Sequence, residues 1–143
     1  MPYRANYPAT VTEVLDDSIT FNPAAIRAVR ALARAKPWRG EPRIRALKIA
    51  ECFESLAEAY NLDGLRITFC TEGADCYIPG RREIRLHGGQ LSVVTFLHEF
   101  GHARGFDERR TCRWSINLFR KCFPRSFARC RQVGHMLVND SGR

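Results

Sequence analysis

The spacing of apolar positions changes along this chain from a helical period to an alternating one and back. "NPAAIRAVRALARAKP" predicts a helix from about Pro23 to Lys36, with Asn22 as N-cap and Pro23 in the first turn. Ile26, Val29 and Ala33 form its inward stripe, and Arg27, Arg30 and Arg34 face out. "KPWRGEP" breaks the pattern. A second helix is expected near Pro42 to Tyr60, with Ile44, Leu47, Cys52, Leu56 and Ala59 at helical intervals, closed by Asn61 and Gly64. The period then drops to two: "LRITFC" alternates Leu65, Ile67 and Phe69 with polar residues and predicts a strand. "CYIPGRREIRLHG" predicts a hairpin with a type II turn around Ile78-Pro79-Gly80-Arg81. Its return strand, 82–87, carries enough charge to be expected at a sheet edge.

Helical spacing resumes at Leu91 and runs to about Arg104, where Gly105 is the expected stop. Asp107 is a natural N-cap for a further helix, Glu108 to Cys122, with Trp114, Leu118, Phe119 and Cys122 buried. A last short helix is expected over 124–133. Helices, a small sheet and helices again make an α+β fold. The 143 residues are expected to form a single domain, helical over 1–64, with sheet, motif helix and basic helices over 65–143.

The helix from Leu91 contains "HEFGH". At 100° per residue His98 and His102 lie 40° apart, one turn from each other, which is what two imidazoles need to reach one metal ion. Val93, Phe96 and Phe100 anchor the opposite side; Val94, Thr95 and Gly101 flank the histidines as a cleft floor. Glu99, 100° from His98, is placed to take a proton from a water that zinc has acidified toward pKa ~7. The expected cofactor is therefore Zn2+.

A hydrolytic zinc site has three protein ligands and an open position. After His102 the candidates are Asp107, Glu108, His135, Asp140 and three cysteines. Glu108 leads them because His98-Glu99-x-x-His102-x-x-Gly105-x-x-Glu108 resembles the metzincin frame, in which a glycine turns the chain back toward the metal. That family usually has His, sometimes Asp, at this place. Asp107 and His135 remain alternatives. Asp107 also reads as a cap, and His135 as an ordinary surface or satisfied histidine or, alternatively, a group that polarises a carbonyl. Met136 stands where a methionine turn beneath the metal would fall. His87 reads as structural.

Composition narrows the setting. No apolar run approaches a membrane span, and no basic-then-apolar leader opens the chain, so a cytoplasmic protein is expected. Six cysteines without a Cys-x-x-Cys pair are expected to be buried thiols rather than disulfides or a zinc knuckle. The net charge of +8 is uneven. Residues 1–100 hold 13 Lys/Arg against 12 Asp/Glu, and residues 101–143 hold 10 against three. That basic C-terminal third makes nucleic acid a second candidate partner, although no helix-turn-helix, zinc finger or aromatic RNA-binding signature accompanies it.

Residues 76–124 resemble the small intracellular zincin-like domains grouped as SprT-like and ImmA/IrrE-like: a charged edge strand, a His-Glu-x-x-His helix, then an amphipathic helix starting near an acid and ending in Pro. "RWSINLFRKCFP" is similar to the end of that second helix in the ImmA/IrrE group. The resemblance implies a zinc-dependent peptidase with His98 and His102 as ligands and Glu99 as base. It also implies that a protein or peptide substrate adds to the edge strand at Glu83, Ile84, Arg85 and Leu86. SprT-like domains usually supply a third histidine downstream, and none stands between His102 and His135 here. The ImmA/IrrE group places its third Glu later in the next helix, where this chain has Arg110. The alternative is a nucleic-acid-associated or protein-interaction module of zincin fold with little catalysis.

Overall fold

The structure is a computed structural model that describes residues 7–139. It is α+β: five helices, one three-stranded mixed sheet and one two-stranded sheet. Helix α1 (Pro23–Arg34) starts as expected, with Asn22 Oδ1 accepting from the Ala24 amide at 2.8 Å. The same side chain donates to the Ala59 carbonyl at 3.0 Å, tying the start of α1 to the end of α2 (Pro42–Ala59). The inward stripes differ from the expected ones. α1 buries Ala25, Ala28, Val29 and Leu32, with Ile26 and Ala33 half-buried. α2 buries Ile49, Cys52, Phe53 and Leu56, while Ile44 and Leu47 face solvent. Leu47 lies about 160° from Ile49 around the helix axis, so the two cannot face one core.

The sheet contains β1 (Arg66–Cys70), β2 (Cys76–Ile78) and β3 (Glu83–His87) in the order β1-β3-β2. β3 pairs parallel with β1, Ile67 opposite Ile84 and Phe69 opposite Leu86, and antiparallel with β2, Tyr77 opposite Ile84. The strand expected at the edge is therefore central, and β2 and β1 are the edges. Its charges are tolerated because they lie on one face and find cross-strand partners. Glu83 accepts from Thr68 Oγ1 at 2.6 Å and sits 3.5 Å from Arg85 and 3.9 Å from Arg66. On the other face Ile84 and Leu86 enter the core. The β2–β3 connection also differs from a type II turn. Pro79–Arg81 form one 3-10 turn, closed by Arg82 at φ 48°, whose amide donates to the Pro79 carbonyl.

Helix α3 (Val93–Ala103) is capped by Ser92, which accepts from the Thr95 amide, and Gly105 ends the segment at φ +91°. A side chain there would be strained, which is why the turn falls at glycine. Phe96 and Phe100 are fully buried behind it, packed with Phe53, Tyr60 and Trp114. Helix α4 (Glu108–Cys122) begins at the expected cap: Asp107 Oδ1 accepts from the Arg110 amide at 2.9 Å. The helix expected over 124–133 stops at Arg129 as α5 (Pro124–Arg129). The remainder is a hairpin of β4 (Cys130–Val133) and β5 (Met136–Asn139), turning at Gly134-His135.

Candidate metal centre

Four side chains from three elements meet on one face of α3. His98 Nε2 lies 3.1 Å and His102 Nε2 2.9 Å from the same oxygen of Glu108, Oε1. The other oxygen, Oε2, lies 2.9 Å from His135 Nε2. The elements explain each placement. α3 presents the two histidines from one face, the Gly105 turn reverses the chain, and Glu108 is the first residue of α4. Gly101 does not form a cleft floor. It is the close-contact point of the two helices, where a Cβ would stand 2.9 Å from Thr111 Cγ2. His135 arrives from the hairpin turn, which the Val11 amide holds by donating to the Gly134 carbonyl at 3.1 Å. The Tyr7 ring packs edge-on against the His135 imidazole.

The protonation of His102 follows from its neighbours. Nδ1 lies 3.0 Å from the Phe106 carbonyl, which can only accept, so Nδ1 carries the proton. Nε2 then turns a lone pair toward Glu108 unless the ring is charged. The hydrogen bond with Glu108 raises the His102 pKa, and burial offsets part of that rise. Burial pushes the Glu108 carboxyl up, but the hydrogen bonds from His102 and His98 outweigh it and hold it well below the ordinary carboxylate range. The cluster therefore requires positive charge at its centre, as protons on the imidazoles or as a cation.

The donor set fits a zinc ion: imidazole nitrogens and a carboxylate oxygen are its ordinary ligands. The 3.1 and 2.9 Å separations are near the edge of ~3.3 Å between ligands of a tetrahedral zinc. The histidine whose other nitrogen donates to a backbone carbonyl has the usual second layer of a metal-bound imidazole. His98, Glu108 and Cys112 also offer ligand atoms within 4.8 Å of one another. Burial pushes the Cys112 thiol up to about 12, so it stands as a neutral thiol beside Glu108.

Glu99 faces a cleft of about 530 Å³ whose opposite wall is Asp75, Cys76, Tyr77 and Pro79. Burial raises its pKa, and the charges of His98 and His102 partly offset the rise. The cleft is bordered by β2. Glu83, Ile84, Arg85 and Leu86, expected to receive substrate along a free edge, lie on the central strand β3; the first three are paired on both sides and Leu86 with Phe69 of β1. Of the other candidates, Asp107 serves as the α4 cap, and Asp140 lies outside the described residues. Met136 opens β5 directly after His135. His87 accepts from the Gly89 amide, while its own amide donates to Asp75.

Part of the basic C-terminal third is engaged within the molecule, while Lys121, Arg125 and Arg129 are exposed. Arg113, Arg109 and Arg120 pair with Asp16, Glu13 and Asp17. Arg104 lies over the Tyr60 ring at 3.8 Å and Arg110 over Phe106 at 4.3 Å. Among the described residues, no helix is long and apolar enough to cross a membrane. No family model matches this chain, and neither a curated protein nor a solved structure matches it significantly.

Proposed function

We propose that this chain is a zinc-dependent peptidase of zincin-like fold. In this reading His98, His102 and Glu108 hold the metal, and Glu99 is the general base. The observation that carries it is the convergence of two imidazole nitrogens on one oxygen of Glu108, at 3.1 and 2.9 Å, with Glu99 in the adjoining cleft. A zinc ion in such a site supplies Lewis acidity, acidifying water and polarising a carbonyl. Hydrolysis breaks the amide C–N bond, adding hydroxide to the carbonyl carbon and a proton to the nitrogen. Glu99 takes that proton from water and returns it to the leaving amine. An extended substrate lies along the free side of β2, residues Cys76–Ile78, taking over the role expected of Glu83–Leu86. Six free thiols support a reducing, cytoplasmic setting.

One observation favours a second reading. Cys112 and His135 stand beside the same carboxylate, and a metal enclosed by four protein ligands is structural rather than hydrolytic. The deciding experiment is elemental analysis of untagged wild type, Glu108→Ala and Glu99→Gln, with hydrolysis of a fluorogenic casein measured on the same samples. The peptidase reading expects one zinc per wild-type chain, a sharp loss in Glu108→Ala, and zinc retained without turnover in Glu99→Gln. Zinc retained with no hydrolysis even by wild type favours the structural site. No zinc in any sample after zinc is added back sinks both.

A further inference from the structure

Residues 23–48 hold eight Lys/Arg against one acid, Glu41, so the near-balance of the first hundred residues conceals a strongly basic segment. The structure leaves much of this charge unpaired. Arg27, Arg30 and Arg34 stand at i, i+3 and i+7 on the exposed face of α1, a row about 10 Å long. Lys36 and Arg39 are exposed on the following loop. None of the five has an acidic partner among the described residues, whereas three arginines of α4 do.

Trp38 stands between Lys36 and Arg39 and is 49% exposed. The loop that presents it is fixed from below. Lys48 Nζ donates to the Lys36 and Arg39 carbonyls, both at 3.1 Å. Arg45 donates to the Pro37 carbonyl at 3.0 Å and the Leu91 carbonyl at 2.9 Å. The indole meets Phe123, at the end of α4, in a T-shaped pair with ring centroids 6.4 Å apart. A sixth exposed cation, Lys121, belongs to that end of α4. α1 packs against α4, which sets the α1 row on the same side of the molecule as this helix.

A held aromatic ring among unpaired cations matches a polyanion that also carries flat π-faces. Single-stranded nucleic acid has both: its phosphates meet the cations and an unstacked base meets the indole. A duplex keeps its bases stacked and offers the ring nothing. The α1 face has small alanines between its arginines, such as Ala31, and so presents no apolar wedge to lipid. We infer that the outer face of α1 and the α1–α2 loop form a binding surface for single-stranded nucleic acid, with phosphates along Arg27, Arg30, Arg34 and Lys36 and a base stacked on Trp38.

The test uses the full chain and an oligothymidylate of about 20 nucleotides, following tryptophan emission at several salt concentrations. Trp114, the second tryptophan, is buried and serves as an internal reference. Binding is expected to quench Trp38, with a log–log salt slope of about −3 if four phosphates are neutralised. Trp38→Ala is expected to weaken binding about tenfold and abolish the quench. Arg30→Glu with Arg34→Glu should flatten the slope. Absence of binding at about 50 mM salt overturns the inference, as does equal binding of a blunt duplex without quenching. Quenching by phosphatidylserine vesicles but not by the oligonucleotide assigns the surface to lipid and likewise overturns it. The comparison of strand, duplex and vesicle requires only wild-type protein.

Discussion

Glu108 is engaged on both oxygens, Oε1 facing His98 and His102 and Oε2 facing His135. With Oε1 directed at a metal, His135 holds the second oxygen and fixes the angle of the carboxylate. It is then a positioning residue. Such outer partners are typically worth about 10–100-fold in metal affinity. His135→Asn is therefore expected to weaken zinc binding by about that factor in a competition with a chromogenic chelator, while full stoichiometry returns at saturating zinc. Stoichiometry that stays as low as in Glu108→Ala would make His135 a ligand. The histidine pair and Glu99 were legible in the sequence because one helix turn separates them and helix geometry is local. Glu108 was legible through the glycine turn before it. His135 remained one option among several because its place depends on a hairpin 27 residues beyond Glu108.

At the scale of elements, the centre depends on how closely α4 approaches α3. Gly101 permits that approach: a Cβ there would lie 2.9 Å from Thr111 Cγ2 and 3.3 Å from Thr111 Cα. Thr111 is fully buried beneath His102, so it has little room to yield. Gly101→Ala is expected to cost about 1–3 kcal/mol in urea unfolding through overpacking. It should also lower zinc affinity, because α4 carries Glu108 outward as it shifts. Unchanged affinity together with lost stability would show that the centre tolerates the displacement. β3 teaches a related point. Alternation correctly marked it as a strand, but alternating charge does not say whether a strand is central or at the edge. Thr68 and Arg66 on β1 decided that by meeting Glu83 across the ladder.

Across the whole molecule, the acids of the segment before α1 are drawn onto the cations of α4. Asp16 receives the Ser18 hydroxyl at 2.6 Å and Arg113 at 2.7 Å, and its own amide donates to Asn117. The Ser18 hydroxyl and Arg113 lower its pKa from 3.8 to about 2. A carboxyl whose folded pKa lies below its unfolded value adds stability that is full above pH 4 and lost as pH falls toward 2. The stability difference between wild type and Asp16→Asn, measured by urea unfolding, is expected to be larger at pH 6 than at pH 2.5. A difference independent of pH would mean that Asp16 acts through packing alone. The same pairing offsets part of the excess positive charge of the C-terminal third. Formal charge is summed along the chain, but an open surface depends on which acids fold back onto it.

Local sequence was enough for the α+β order of elements, the caps at Asn22 and Asp107, the stop at Gly105, and the spacing that sets His98, Glu99 and His102 on one helix. Each of these follows from interactions within a few residues, which backbone geometry and side-chain chemistry dictate locally. That β3 is central, that β2 borders the cleft and that His135 joins Glu108 became visible only once distant segments were packed together. The same holds for which arginines stay unpaired. Those outcomes depend on contacts between distant segments, and their free energy comes from surfaces that do not exist until the chain has folded.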